Sequence, residues 1–245
     1  MKTELIVALD VPNYEDAMDF VESLDGKVQW FKVGLELFIS DGAVIMQALK
    51  REKFKVMLDL KLHDIPETVS RATKVAVDLG ADMLTIHTFG GRKMMEGAVK
   101  AADDKVKLLG VTVLTSLSVA DFREMGVPCQ MPNVPSHITS EPTIAWQVHQ
   151  LAELAGQCGV HGLVCSALEA GGIHGAHPGF LLVTPGIRPA GGDAGDQKRV
   201  ATPAVAREAG ASHIVVGRPI RDVNPKVRVD VVKGILADLE APLAS

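Results

Sequence analysis

The chain has 245 residues, of which 47% are hydrophobic and 22% charged, with a formal net charge of −5. This length suits one large α/β barrel as well as two ordinary domains, and the composition supports a substantial core. The acidic balance and the lack of a Lys/Arg-rich run argue against nucleic acid as a partner, and no apolar stretch is long enough to span a membrane.

The first strand-like run, Leu5–Leu9, is too short for the apolar core of a signal peptide and ends at Asp10. Seven more follow: Trp30–Val33, Val56–Lys61, Met83–His87, Leu108–Leu114, Gly162–Ser166, Phe180–Thr184 and His213–Val216. Between them, apolar residues recur at helical spacing over Glu67–Leu79, Lys93–Ala102, Ile144–Ala155 and Pro203–Glu208. Gly80, Gly159 and Gly210 stand where a helix would close on a C′ glycine. Val-, Ile- and Leu-rich strands that each lead into a helix imply a parallel sheet covered by helices. Eight such units predict a closed (β/α)8 TIM barrel forming a single domain over 1–245. The first strand lacks the Gly-x-Gly-x-x-Gly that a dinucleotide-binding sheet would carry there. Two irregular stretches interrupt the pattern, 127–142 and the glycine-rich 186–198, and the second is a candidate mobile cover.

Cys129, Cys158 and Cys165 form no CxxC pair and leave an odd count, which predicts reduced thiols and a cytoplasmic protein. Cys165, inside an apolar run, is expected in the core rather than as a nucleophile.

In such a barrel the active site lies at the C-terminal ends of the strands. Asp10, Lys32, Asp59, Lys61, Asp64, His87, Thr115 and Ser116 all fall at or just past those ends. Strand seven leads into Thr184-Pro185-Gly186-Ile187-Arg188-Pro189 and strand eight into Gly217-Arg218-Pro219. Loops seven and eight commonly hold phosphate on backbone N–H groups, and here Gly186 and Gly217 would permit close approach while Arg188 and Arg218 add charge. Singly, each Gly-Arg is also compatible with a plain turn bearing a solvated cation.

The segment Leu58-Asp59-Leu60-Lys61-Leu62-His63-Asp64 puts charge into a strand that should be apolar. Strand alternation places Asp59 and Lys61 on one face. Lys61 has three readings: a structural ion pair with Asp59, a Schiff-base lysine, or a lysine held as a cation that clamps charge and donates a proton. Schiff-base chemistry needs a depressed pKa, whereas a carboxylate ~4 Å away stabilises the cation by roughly 4 kcal/mol at an effective dielectric of about 20. That favours the third reading. Asp59, His63, Asp64 and His87 could also ligate a metal, but Lys61 between two of them is a poor neighbour for a divalent cation, so no metal is expected.

Together, Asp59-Leu60-Lys61-Leu62-His63-Asp64-Ile65-Pro66-Glu67-Thr68, Val113-Leu114-Thr115-Ser116, Val183-Thr184-Pro185-Gly186-Ile187-Arg188-Pro189, Gly195-Asp196-Gln197 and Val216-Gly217-Arg218-Pro219 closely resemble the bacterial branch of the orotidine 5'-phosphate decarboxylase family. The similarity runs from Leu5 through Arg218. It implies a cofactor-free conversion of orotidine 5'-monophosphate to uridine 5'-monophosphate and carbon dioxide, the last step of de novo UMP synthesis. By that resemblance Lys61 donates the proton to pyrimidine C6, Asp59 lies against the departing carboxylate, and Lys32 and Asp64 complete a Lys/Asp array. Asp10 would hold a ribose hydroxyl, Thr115, Ser116 and Pro185 the pyrimidine, and Arg188, Gln197, Gly217 and Arg218 the phosphate. The family also implies a homodimer in which Asp64 and Thr68 reach the partner's site. Two rivals remain: another phosphosugar enzyme on this barrel, such as a 3-keto-L-gulonate 6-phosphate decarboxylase or a pentulose-phosphate epimerase, and a non-catalytic nucleotide-binding protein.

Overall fold

The computed structural model describes residues 2–127, 144–189 and 200–241. Within them, eight parallel strands close into a barrel in sequence order, β1 pairing with β8. They are β1 (Glu4–Ala8), β2 (Trp30–Val33), β3 (Lys55–Leu62), β4 (Met83–His87), β5 (Lys107–Val111), β6 (Gly162–Val164), β7 (Leu181–Thr184) and β8 (His213–Val216). The helices are α1 (Tyr14–Glu22), α2 (Leu35–Arg51), α3 (Pro66–Asp78), α4 (Gly91–Ala102), α5 (Val119–Glu124), α6 (Ile144–Gln157), α7 (Ala167–Ala176), α8 (Pro203–Glu208), α9 (Arg218–Arg221) and α10 (Arg228–Glu240). The expected (β/α)8 order is therefore present. The predicted helix-closing glycines Gly80, Gly159 and Gly210 have φ of 77°, 78° and 85°, where a side chain would be strained. None of the described helices is long and apolar enough to cross a membrane.

Strand alternation divides the core into two shells. Leu5, Val7 and Leu9 point outward from β1 into the large helix-covered cluster, while Ile6 and Ala8 point into the barrel. The interior is filled by Ile6, Ala8, Trp30, Met57, Met83, Leu109, Val183 and Val215. The Trp30 and His213 rings close the N-terminal end, edge to face at 5.1 Å, with the Lys55 ammonium over Trp30 at 5.0 Å.

The same alternation determines what stands at the other end. Two residues beyond each interior core residue come Asp10 after Ala8, Lys32 after Trp30, Asp59 after Met57, Thr85 after Met83, Val111 after Leu109, Pro185 after Val183 and Gly217 after Val215. Past the apolar plug, the inward positions of β1 to β4 turn polar, while those of β5 and β7 stay apolar as Val111 and Pro185. The fold spends its barrel interior on packing at one end and on chemistry at the other.

Most strand bounds fall within one residue of expectation, and two strands end two or three residues early. The apolar runs Leu108–Leu114 and Gly162–Ser166 pair as strands only to Val111 and Val164. Val113 is nonetheless buried, because the segment beyond β5 turns in to line a cavity. Beyond β6, Ser166 instead caps α7, its Oγ accepting the Leu168 N–H at 3.1 Å.

Candidate active site

Lys32, Asp59 and Lys61 meet inside the open end of the barrel. Both Asp59 oxygens accept from Lys61 Nζ, at 2.9 and 3.0 Å, and Oδ2 lies 3.5 Å from Lys32 Nζ. Thr85 Oγ1 donates to Asp59 Oδ1 at 3.0 Å. On its other side Lys32 donates to Asp10 Oδ1 at 2.8 Å. The result is a line of alternating charge, Asp10–Lys32–Asp59–Lys61, built from three adjacent strands of one chain.

Asp59 is 9% exposed. Burial is the largest influence on its carboxyl and pushes the pKa up, yet Lys32, Lys61 and the Lys61 and Thr85 hydrogen bonds together hold it below the usual value. Lys32 mirrors this: burial pulls its ammonium down most strongly, and Asp59 and Asp10 outweigh that and hold it above the ordinary lysine value. Lys32 and Asp59 thus hold each other in their charged forms. Gly34 completes the support, because a Cβ there would lie 3.0 Å from Lys32 Nζ and 3.3 Å from Asp10 Oδ1.

Lys61 departs from regular strand geometry. Its φ is 49°, in the left-handed region, and the β3–β4 register shifts between Leu58 and Leu62. The Lys61 N–H is satisfied by Thr85 Oγ1 at 2.8 Å. A non-glycine residue in this conformation costs of order 1–3 kcal/mol and persists only where its surroundings dictate it. Thr85 therefore has two tasks, orienting Asp59 and holding the strained backbone of Lys61. Sequence reading missed it because a Thr within a strand passes for an ordinary strand former. The signal was its place on β4: the Met57–Met83 and Leu58–Leu84 pairing, continued one step, sets Thr85 beside Asp59.

The Lys32–Asp59–Lys61 part of this line borders a cavity of about 280 Å³. Lys32, Asp59 and Lys61 face an apolar surface of Met57, Val111, Val113, Val164, Val215 and Pro185, with Thr115, Ser116 and Cys165 at its edge. Such a slot suits a flat ring whose one edge meets ammonium groups. Cys165 is buried, as expected, and also borders this cavity.

A second cavity of about 370 Å³ shares Lys32, Pro185 and Val215 with the first. Its lining adds Asp10, Gly186, Gly217 and the arginines Arg188, Arg218 and Arg221. Arg188 is largely buried, and its backbone N–H donates to Ala201 O at 2.9 Å, joining the two sides of the loop after β7. Three arginines thus line this cavity beside Gly186 and Gly217, a donor set that suits an anion. Arg221 escaped sequence reading because it lies in the four-residue α9 rather than at a strand end.

Asp64 and Thr68 stand apart. Both are exposed, and Asp64 Oδ1 accepts the neighbouring Ile65 N–H at 2.6 Å instead of joining the Lys61 pair. His63 stacks on His87 with ring centres 5.2 Å apart, and burial, then His63, then Lys61 push His87 down to about 4. Among the described residues no group of three or more His, Cys, Asp or Glu is arranged to hold a metal ion. Gln197, most of the proposed cover 186–198 and nearly all of 127–142 lie outside the described residues.

A closed parallel barrel with a Lys/Asp line beside an arginine-rich pocket at the open end of its strands defines a (β/α)8 protein with the site where this fold carries it. Its sequence matches the Orotidine 5'-phosphate decarboxylase / HUMPS family over residues 3–229. The chain belongs to that family. It is 44% identical over 223 residues to the orotidine 5'-phosphate decarboxylase of Pseudomonas savastanoi pv. phaseolicola, covering 89% of this chain and 90% of that one. It is 43% identical over 243 residues to the enzyme of the same name from Alcanivorax borkumensis, covering 98% and 99%. Among solved structures, orotidine 5'-phosphate decarboxylase from Lactobacillus acidophilus superposes with a TM-score of 0.79 at 34% identity, over 98% of this chain and all of the other.

Proposed function

We propose that this protein decarboxylates orotidine 5'-monophosphate to uridine 5'-monophosphate, the final step of de novo UMP synthesis. The observation that carries this reading is the continuity of two unlike cavities, one apolar slot walled by Lys32, Asp59 and Lys61 and one pocket of arginines. A nucleotide spans both. Its pyrimidine lies in the slot, its ribose beside Asp10 and Lys32, and its phosphate among Gly217, Arg188 and Arg218.

Loss of carbon dioxide leaves an electron pair at ring carbon C6. An ammonium fixed beside that carbon stabilises the charge without reorganising, and then delivers its proton. Lys61 is the group suited to this, since Asp59 anchors it at the cavity wall. Phosphate binding far from C6 supplies interaction energy that is expressed in the transition state. The balance is complete without an oxidant or cofactor: the C6–carboxylate bond breaks, carbon dioxide departs, and the Lys61 proton forms the C6–H bond.

The direct test follows the ultraviolet absorbance of orotidine 5'-monophosphate with purified protein in EDTA. The expected result is full conversion to the product spectrum. An unchanged spectrum with the nucleotide shown to bind would leave a nucleotide-binding protein in place of an enzyme. Activity seen only without EDTA would point to the metal-dependent phosphosugar rivals.

The active unit in this reading is a cytoplasmic homodimer. Ile65 and Ile39 are 67% and 81% exposed, on α3 and α2 segments that follow the strand ends, and would be covered in such a dimer. Exposed Asp64 and Thr68 lie on the same side and are free to serve a neighbouring barrel. Mixing inactive Lys61→Ala and Asp64→Asn proteins after dissociation should regain up to a quarter of native activity, since random pairing places half the chains in hybrids and each hybrid has one intact site. Hybrids that form and stay inactive would assign Asp64 to its own subunit.

A further inference from the structure

Asp10 lies two residues past the end of β1 and is exposed, yet its carboxylate has to hold Lys32. The last ladder bond near it is Leu9 N–H to Lys32 O at 2.9 Å, so the sheet does not fix the Asp10 peptide. Arg221 does. Its Nη1 donates to the Asp10 carbonyl at 2.9 Å, across 211 residues of sequence. The same guanidinium is gripped as a fork by Asp222, from Nε at 2.6 Å and from Nη2 at 3.1 Å. The Arg221 backbone is secured in turn: its carbonyl accepts from Arg228 Nη2 at 3.0 Å, and Arg228 Nη1 reaches Ser23 Oγ at 3.0 Å. The Arg228 guanidinium also lies over the Phe20 ring at 4.5 Å. A planar, five-donor group held on two sides is a rigid strut, which an isolated surface ion pair is not.

We propose that Arg221 is a positioning residue for the decarboxylation described above, fixing the end of β1 so that Asp10 can orient both the ribose and Lys32. The inference rests on that functional reading. It assigns Arg221 a role through Asp10, distinct from the direct phosphate contacts of Arg188 and Arg218, although all three line one cavity.

The test compares Arg221→Gln and Arg221→Lys with the native enzyme. Both should lower kcat/KM for orotidine 5'-monophosphate about 10- to 100-fold, the range for losing one bond to a charged group or for a misplacement near 1 Å. The inhibition constants of uridine and of uridine 5'-monophosphate should rise by the same factor within about threefold, because the ribose contact is common to both. In an Asp10→Asn background the Arg221→Gln loss should shrink below about threefold. Weakened binding confined to the phosphorylated inhibitor, or full activity in Arg221→Lys, would make Arg221 a phosphate ligand instead. Losses that simply add to those of Asp10→Asn would make it a structural residue. Should Arg221→Gln fail to fold, Asp222→Asn loosens the same strut and should show the same equality between the two inhibitors. Native protein inert toward the nucleotide refutes the functional reading itself, whereas active native protein with an unaffected Arg221→Gln refutes only this role.

Discussion

Replacing Lys61 by Ala should reduce turnover of orotidine 5'-monophosphate by roughly 10⁴- to 10⁷-fold. One side chain serves as both general acid and electrostatic stabiliser, roles worth about 10²–10⁴ and 10²–10³ respectively. The KM should change far less, since the arginines of the second cavity, where the proposed function seats the phosphate, are left intact. Folding should survive. Asp59 would keep Lys32 at 3.5 Å and the Thr85 hydroxyl at 3.0 Å, so no buried carboxylate is left alone. Removing the side chain also leaves the φ of 49° to an alanine, which costs about as much there as lysine did. Single-turnover absorbance measurements with enzyme in excess check this. A variant retaining more than about one hundredth of native turnover would mean that another group protonates C6.

The residues that sequence reading found, and those it missed, differ in a consistent physical way. Asp59 and Lys61 were visible because charge in a buried strand is costly, and that cost stands out against an apolar background. The strands themselves followed from apolar runs, and the barrel from their number. Thr85 was invisible because its contribution depends on the ladder register between β3 and β4, which no single strand encodes. Leu114 misled for a related reason. Its run stays apolar past the end of β5 because there it lines a cavity, whose walls can be as apolar as a core, so hydrophobicity marks both. Arg221 acts through Asp10, at the opposite end of the chain, and only the closure of β8 onto β1 brings them together. Asp64 shows the converse. Its spacing from Lys61 suggested one local cluster, but the chain turns at Ile65 into α3 and leaves the carboxylate on the surface.

Asp59→Asn should lower turnover by about 10²- to 10⁴-fold without tightening substrate binding by more than about threefold, and the second half of that expectation separates two roles. If Asp59 acted mainly by repelling the substrate carboxylate, neutralising it would relieve the bound state and improve affinity. Its charge is already committed, however, to two hydrogen bonds from Lys61, the Lys32 ammonium and the Thr85 hydroxyl. A carboxylate so compensated presents little net repulsion. Its larger task is to hold two cations side by side, and the asparagine leaves them facing each other with only Asp10 in support. The pH dependence of stability should report the same loss. The folded Asp59 carboxyl lies below its ordinary value of 3.8, so it stabilises the native protein above that pH and the contribution fades as pH falls through the lower folded value. Folded Lys32 lies above 10.5, so its contribution is complete below that pH and is lost as pH rises through the higher folded value. Asp59→Asn should abolish the first dependence and weaken the second. The acid loss from His87 should remain: with its folded value near 4 against 6.5 in the open chain, the native state loses stability as pH falls across that interval in either protein. Thermal melts from pH 3 to 11, paired with calorimetric titration of the nucleotide, check both halves. A variant that binds substrate tenfold more tightly than native protein would restore ground-state repulsion as the main function of Asp59.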